Sequence, residues 1–536
     1  MIIHELHTIQ NAQGYLPTSE LQALSRRLNI PLYRIHGVAS FYPHFRLQPP
    51  ATVDIRICRD IACHLRRAPD LLDIVRTAVD ASPLTDVNVT PTACLGQCEG
   101  APAISINNRP YTKVNAQRIT SLLDRLANGR TLRHQRWGAA KTPLACNPYA
   151  GQSTYAAWHH LRQHGNIKAT IDNLKQSGLR GMGGAGFPTG VKWELVRNTV
   201  SDVKYVICNA DESEPGTSKD RFILQNVPDL VIEGIAMAAT VVGAQKAIIY
   251  IRHEYARERD VLRRTLRQAQ NAGHLDDHIT FEIFESPGGY ICGEETGLLE
   301  ALEDKRAEPR NKPPFPGTHG LFGKPTLINN VETFAMLPGI ALNGGKWWSS
   351  QGYNGTGGLK FLAVSGHVRR PGVYEVPLGL PARELLFEHA GGMHRQRPLK
   401  AFAPGGASSG FLPASMLDIS LDFQTLAEAG SMLGSGAVVA VAEGTCMLDL
   451  ALNVARFFRD ESCGKCVPCR VGTEKIVMLL EGIRNGRGKM ADLELIEELS
   501  DAMSLTSICG LGQAAPNPIL SVIKYFKGDI VRYIKR

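Results

Sequence analysis

The sequence predicts a multidomain α/β protein, and three observations lead there. The chain has 536 residues, more than one hydrophobic core organises, so three or four domains are expected. Its middle alternates apolar runs such as VKYVICNA, KAIIYIR and TFEIFE with helical patterns, the rhythm of an α/β layer structure. Its last part reads as successive helices, DLALNVARFFRD, TEKIVMLLEGIR, LELIEELSDAM and ILSVIKYFKGDIVRYI.

Composition narrows the class. Apolar residues make up 43% and charged residues 21%, the balance of an ordinary soluble globular protein. A net charge of +8 is modest at this length, and most Lys and Arg are expected to be solvated. The start, MIIHELHTIQ, lacks a basic region followed by an apolar run, so export is not expected and the protein is read as cytoplasmic. The most membrane-like run, from Leu230, is broken by Glu233, Gln245 and Lys246. It reads as a buried helix followed by a strand, with no membrane span.

The elements follow in order. Residues 1 to about 50 place apolar residues at helical spacing, as in SELQALSRRLN. Next come a strand (VDIRI), a helix (PDLLDIVRTAVDA), a strand (VNV) and a strand (AISIN), with cysteines in the intervening loops. That β-α-β-β order looks like a thioredoxin-type module, and residues 1–127 are read as helical lead plus this module. Residues 128–151 are basic and aperiodic; they are read as a linker, not a nucleic-acid arm. Residues 152–350 form the α/β domain. Residues 351–445 carry short strands such as LKFLAVSG and GVYEVP around turns and are read as a small β-grasp-like domain. Residues 446–536 are the helical domain.

The cysteines carry chemistry. Eight of the twelve fall into two groups: Cys58, Cys63, Cys94 and Cys98, then Cys463, Cys466, Cys469 and Cys509. Without export, disulfides are not expected, and regular cysteine clusters point to metal. A C-x4-C pair followed by a C-x3-C pair lets four thiolates reach two irons, which fits a [2Fe–2S] cluster. C-x2-C-x2-C with a remote fourth cysteine suits a [4Fe–4S] cube. Structural zinc is the alternative for each group. Cys146, Cys208, Cys292 and Cys446 have no partner at ligand spacing and are read as small buried residues.

Gly181, Gly183 and Gly186 in RGMGGAGFPTG spell G-x-G-x-x-G. A Rossmann fingerprint follows a buried strand and opens a helix. Here the preceding ATIDNLKQSGLR is helix-like and polar, and FPTG is expected to stop a helix. The context is wrong for a Rossmann turn.

Read with its neighbours, the loop becomes specific. GLRGMGGAGFPTGVKW, CNADESEPGTSKDR, YICGEETGLLEAL, RNKPPFPGTHGLFGKPTLINNVET and ESCGKCVPCRVGTEK occur in that order. Together they resemble the flavin-carrying, NADH-oxidising subunit family of respiratory complex I and of hydrogenase and formate dehydrogenase diaphorases. LHTIQNAQGYLP and YRIHGVASFYPHF, ahead of the first cysteines, resemble the small [2Fe–2S] subunit that accompanies this flavoprotein.

The resemblance implies FMN, NAD(H) and both clusters, with roles for particular residues. Gly181, Gly183, Gly184 and Gly186 would line the flavin, and Lys192 would pair with its phosphate. Asn209, Asp211, Asn329, Asn330 and Thr333 would hydrogen-bond the ring and ribityl chain. Phe187 and Phe315 would stack on NADH, while Glu214, Glu295 and Lys312 would hydrogen-bond the nucleotide. Glu294 would sit near the flavin. Glu214 and Glu295 are the expected catalytic-site carboxylates. Three positions depart from the family pattern: Met182 replaces an arginine, Ser218 an aromatic residue, and Leu195 a second stacking phenylalanine.

The implied function is that of a diaphorase, exchanging a hydride between NAD(H) and FMN and passing single electrons through the clusters to a partner. The chain shows no further cysteine group and no pterin-binding domain, so a separate catalytic subunit is implied. PGGASSGFLPASMLDISLDFQTL and SICGLGQAAPNPILSVIKYF most resemble β subunits of NAD-dependent formate dehydrogenases, whose partner carries molybdenum or tungsten. The diaphorase of a hydrogenase or the input module of a quinone-reducing complex is the alternative. A zinc-stapled, non-enzymatic scaffold is the alternative of another class.

Overall fold

The helical lead forms as its apolar spacing predicts. Helices Ile2–Gln13, Thr18–Leu28 and Leu32–Ala39 turn Leu6, Leu21, Leu24 and Ile35 inward. The computed structural model describes residues 2–132, 143–149, 154–275, 278–354 and 356–534. Its three sheets and helical C-terminal part bear out the predicted multidomain α/β class.

The first sheet holds β1 (Val53–Cys58), β2 (Val87–Thr92), β3 (Ile104–Ile106) and β4 (Arg109–Tyr111) in the order β2-β1-β3-β4. β1 and β2 are parallel, joined by the helix Ala68–Asp80, and β3 and β4 continue antiparallel. Val53, Ile55 and Ile57 of β1 meet Leu71 and Val75 of that helix in a small core. This is the thioredoxin-type order expected from the sequence, with β4 and the closing helix Ala116–Ala127 added.

The second sheet is wholly parallel: β5 (Tyr205–Ala210), β6 (Lys246–Arg252), β7 (Thr280–Ser286) and β8 (Thr326–Asn330), ordered β7-β6-β5-β8. β8 is hidden in the sequence, because its five residues end in two asparagines. The chain leaves β5 toward β6 on one side, while β8 pairs on the other. In an open parallel sheet the carboxyl-end loops diverge at such a switch point, so the crevice between β5 and β8 is where a ligand is expected. The helix Pro228–Val242 buries every residue from Leu230 to Ala239 and packs on the helix Val331–Asn343. The run from Leu230 is therefore a core helix followed by β6, as read. Among the described residues, no single helix is long and apolar enough to cross a membrane.

The third sheet is mixed: β9 (Leu359–Gly366), β10 (Gly372–Pro377), β11 (Leu399–Ala403), β12 (Leu412–Pro413) and β13 (Ala437–Ala442), ordered β10-β9-β13-β11-β12. Only the β9–β13 pairing is parallel. The C-terminal helices Met447–Asp460, Val467–Arg484, Met490–Thr506 and Asn517–Val531 pack through Leu450, Phe458, Val477, Leu480, Ile496 and Val522.

Two readings need adjustment. FPTG does not stop a helix: Pro188 precedes the first turn of the helix Thr189–Asn198, where a fixed φ suits a helix start. Of the linker expected at 128–151, residues 133–142 and 150–151 lie outside the described residues. Its described end is pinned, not solvated. Cys146 and Tyr149 are buried, Cys146 N donates to Glu375 Oε1 at 2.7 Å, and Tyr149 OH donates to Glu233 Oε1 at 2.7 Å. Cys208 and Cys292 are also buried, and Cys446 is half-buried with Sγ 3.6 Å from Tyr533 Oη.

Candidate active site and cluster cages

The glycine loop lies over the carboxyl end of β8. Gly181 N donates to Phe187 O at 2.9 Å, closing the loop on itself, and Met182 N donates to Thr333 Oγ1 at 3.0 Å. A Cβ on Gly183 would stand 3.1 Å from the Asn330 Cβ, and one on Gly186, at φ +65°, would stand 2.7 Å from the Phe423 ring. These two glycines let backbone approach where a side chain would collide. Met182 turns into the core, 2% exposed, so the residue replacing the expected arginine serves packing.

Asn209 and Asp211 stand at the end of β5, beside Asn329 and Asn330 at the end of β8. Trp193 Nε1 donates to Asn329 Oδ1 at 3.0 Å. Asn330 Nδ2 donates to Asp220 Oδ2 at 2.6 Å, while its Oδ1 accepts from Lys219 Nζ and Glu332 N, each at 3.0 Å. Asn329, Asn330 and Thr333 thus brace the crevice wall. Asn209 Nδ2 donates to Gly293 O at 2.9 Å, tying β5 to the next motif. Asp211 Oδ2 is buried with no hydrogen-bond partner among the described residues. Burial pushes that carboxyl up to about 8. Its other oxygen accepts from Ser213 Oγ at 3.3 Å, so one buried carboxylate oxygen is left for a polar ligand to satisfy.

A charged cluster stands at the same mouth. Lys312 Nζ donates to Glu294 Oε1 and to Glu295 Oε1, each at 2.8 Å. Glu294 also caps the helix Glu295–Leu302, its Oε2 accepting from Thr296 N and Gly297 N at 2.8 Å. Lys192 Nζ lies 3.9 Å from Glu295 Oε2 and donates to Ile328 O at 3.2 Å. Burial opposes charge on Glu295, but Lys192 and Lys312 outweigh it and hold the carboxyl below its usual range. Burial lowers Lys192, whereas Glu294 and Glu295 overcome it at Lys312 and raise that amine.

Phe187 is 49% exposed and Phe315 55% exposed. Core phenylalanines are buried; these two stay half-exposed, Phe187 at the end of the glycine loop and Phe315 three residues after Lys312. Lys192 Nζ lies 5.9 Å from the Phe187 ring centre. Leu195, also exposed, packs beside Gly317, two residues beyond Phe315 in the chain.

Glu214 belongs to a different set of bonds from the other carboxylates. Its Oε2 accepts from Tyr290 Oη at 2.6 Å, and its Oε1 accepts from Ser408 N at 2.8 Å and Ser408 Oγ at 2.9 Å. It sits at the seam with the third-sheet domain, and burial raises its carboxyl. Sequence reasoning missed Glu212, which accepts from Thr217 Oγ1, Asp220 N, Arg221 N and Tyr255 Oη. A buried acid inside the dense DESEPG run is its one local signal. Ser218 is buried at the start of the helix Lys219–Asn226, where the family pattern places an aromatic ring.

The first four cysteines converge at the docking face of the thioredoxin-type module. Cys58 ends β1, Cys63 lies in the helix Ile61–Leu65, and Cys94 and Cys98 flank the turn after β2. All four are buried, with Cys94 Sγ 3.4 Å from Cys98 Sγ. Gly216 N of the second-sheet domain donates to Cys98 Sγ at 3.3 Å, and Arg252 Nη2 donates to Cys94 O at 2.7 Å. The cage therefore faces inward, against the domain that holds the crevice.

The second four close around two helix starts. Cys466 precedes the helix Val467–Arg484, Cys469 lies in its first turn, and Cys509 precedes the helix Gly510–Ala514. A Cβ on Gly512 would stand 2.9 Å from Cys469 Cβ, so the distant segment reaches the run. Helix amino ends favour thiolate charge. Burial pushes the free thiols of Cys469 and Cys509 up to about 12 and about 11, so a metal bound there would displace their protons. Cys463 and Cys466 remain half-buried.

Comparison with known proteins identifies the domains that contain these residues. Residues 1–127 match a thioredoxin-like [2Fe-2S] ferredoxin, 174–339 a Nuo51 FMN-binding domain, 361–412 an SLBB domain, and 449–533 an NADH-ubiquinone oxidoreductase-F iron-sulfur binding region. The F 2 subunit of the NADH-quinone oxidoreductase of Rhizobium meliloti is 44% identical over 372 residues, covering 68% of this chain and 88% of that one. The HndC subunit of the NADP-reducing hydrogenase of Solidesulfovibrio fructosivorans is 40% identical over 371 residues, covering 68% of this chain and 76% of that one. A chain in the crystal structure of air-oxidised NAD+-reducing [NiFe]-hydrogenase superposes with a TM-score of 0.89 at 32% identity, over 99% of this chain and 93% of that one. Each cysteine group falls within a matched iron–sulfur region, and the zinc-stapled scaffold is set aside. The chain belongs to the family of FMN- and iron–sulfur-binding, NAD(H)-dependent oxidoreductase subunits that includes the F subunits of NADH-quinone oxidoreductases.

Proposed function

We propose that this chain is the NAD(H)-handling subunit of a cytoplasmic, hydrogenase-type assembly. The observation that carries the site assignment is the convergence at the β5–β8 switch point. There the loop Gly181–Gly186, the open Asp211 carboxyl and the Glu294–Lys312–Glu295 cluster share one mouth with two exposed phenylalanines. FMN supplies conversion between two-electron hydride and single-electron chemistry when bound.

The chain's residues do the rest. Gly181, Gly183, Gly184 and Gly186 admit the flavin to the backbone, and Asn209 and Asp211 meet its polar edge. Asn329, Asn330 and Thr333 hold the loop in register. Lys192 offers a cation to the flavin phosphate. Phe187 and Phe315 sandwich a planar base, while Glu295 and Lys312 orient the nucleotide and Glu294 sets the charge beside the flavin. Glu214 positions the seam through Tyr290 and Ser408. Cys58, Cys63, Cys94 and Cys98 hold the [2Fe–2S] cluster; Cys463, Cys466, Cys469 and Cys509 hold the [4Fe–4S] cluster. Half-buried Cys463 and Cys466 lie beside Val467 and Val471, which are 60% and 44% exposed. That supports the [4Fe–4S] group as the exit toward a partner.

We divide the chain into 1–127, 128–151, 152–350, 351–445 and 446–536. The partner reading rests on the similarity over 99% of the chain to a hydrogenase chain, which includes the thioredoxin-type module and the flavoprotein together. It shifts the preference from the formate dehydrogenase expected from local sequence runs. A quinone-reducing partner is the reading favoured by the identity to the Rhizobium meliloti relative. The deciding experiment is anaerobic purification of the tagged chain from its host with metal analysis. Nickel with hydrogen-dependent NAD+ reduction supports the proposal. Molybdenum or tungsten with formate-dependent reduction restores the formate reading, and quinone-dependent NADH oxidation without these metals favours the third.

A further inference from the structure

We propose that the helical lead and the flavin domain share a mononuclear transition-metal site of the zinc class, built from His7, His44 and Glu285. None of these residues is among those assigned above to the flavin, the nucleotide or the clusters. His7 lies on the helix Ile2–Gln13, His44 follows the helix Leu32–Ala39, and Glu285 lies on β7. Their donor atoms all fall within 4.8 Å of one another. Bonds of about 2.0–2.2 Å to a tetrahedral ion set donors about 3.4 Å apart. Rotations moving each donor by about an ångström therefore complete the coordination.

The strongest observation is the state of His7. Its Nε2 lies 3.2 Å from the Glu285 carbonyl oxygen. A carbonyl only accepts, so Nε2 carries the proton and Nδ1 keeps the lone pair. That Nδ1 is buried with no hydrogen-bond partner among the described residues. Metal-binding histidines show the same arrangement, one ring nitrogen donating to a backbone carbonyl and the other ligating.

The surroundings fit. The His44 ring centre lies 5.1 Å from that of His7 and 4.2 Å from that of His253. His253 Nδ1 likewise lacks a hydrogen bond among the described residues and stands 3.3 Å from Glu254 Oε2. Arg259 pairs with Glu285 Oε2, a contact of the kind that orients ligating carboxylates. Two imidazoles and one carboxylate suit zinc, cobalt or nickel over magnesium or calcium. Water would fill the fourth position. The site staples the lead, attached nearby through Tyr42 Oη to Lys305 O at 2.5 Å, onto the edge strand of the parallel sheet.

The test uses the full chain with its flavin and clusters. It is equilibrated with zinc chloride, desalted, and analysed for zinc, iron and FMN. The expected result is about one zinc per chain beside about six irons from the two clusters. The H7Q/H44Q double variant should lose that zinc and keep iron and FMN. Wild type that retains no stoichiometric zinc, or a variant that retains as much as wild type, overturns the proposal. Should the double variant fail to fold, cobalt loading of the wild type decides. A visible d–d band bleached by zinc and missing from E285Q supports the site; no band, or an unchanged one in E285Q, overturns it.

Discussion

Lys360 donates to Glu332 at 2.5 Å across the boundary between β9 and the helix that follows β8, and neither side chain has any exposed surface. Lys219 shares the same carboxylate at 3.0 Å and passes the contact to Asn330 in the crevice wall. Removing one partner of a buried ion pair costs about 3–5 kcal/mol, whereas replacing both with neutral groups costs far less. E332Q is expected to destabilise the chain on that scale, and E332Q/K360M to recover much of the loss. Denaturant unfolding of both variants checks this, and equal destabilisation would show that the charges do not act as a pair.

Asp211 gives the crevice a pH signature. Its carboxyl is pushed up to about 8 by burial, against about 3.9 in an unfolded chain. Between those values the folded state holds a proton that the unfolded state releases, so this group's contribution to stability falls as pH rises. The slope reaches about 1.4 kcal/mol per pH unit. D211N in flavin-depleted protein is expected to flatten the melting temperature between pH 5 and 8 and to bind FMN less tightly. A variant with the wild-type slope would remove Asp211 as its source.

Phe187 and Phe315 separate a site from a core. Half-exposed rings contribute little to folding, but stacking on a base is worth about 1 kcal/mol each. F187A and F315A should each raise KM for NADH about fivefold with little change in melting temperature. A large fall in stability with unchanged KM would assign the rings to packing.

Lys192 and Cys509 test the two ends of the proposed electron path. K192A should lose FMN on dialysis, and full flavin occupancy would count against a phosphate-binding role. C509S should abolish the [4Fe–4S] EPR signal and electron transfer to the partner, while NADH oxidation by an artificial acceptor continues in part. An unchanged signal would show that another group completes the cage.

Much of this is legible in the chain. Seven of the eight candidate cysteines fall a few residues from another, as Cys58 and Cys63, Cys94 and Cys98, and Cys463, Cys466 and Cys469, so a local pattern picks them out. Cys509 stands alone in the chain and meets the run only in the fold, where Gly512 lies against Cys469. β5, β6 and β7 announce themselves as apolar runs, and the C-terminal helices through apolar residues every three or four positions. β8 does not, because its strand ends in Asn329 and Asn330, polar residues whose use appears only beside β5. Pro188 reads wrongly as a helix stop because local sequence does not distinguish a proline that ends one helix from one that begins the next.

The sequence by itself determined the fold class, through apolar runs and helical periodicity, and its cysteine groups and ordered motifs, by their resemblance to a known family, pointed to the FMN-binding and the two iron–sulfur domains. Only the tertiary structure decided which of those residues face the crevice and which brace it. It alone joined Glu332 to Lys360, Cys98 to Gly216, and His7 to Glu285. Those pairs meet through sheet register and the stacking of separate domains, and neither is encoded at short range along the chain.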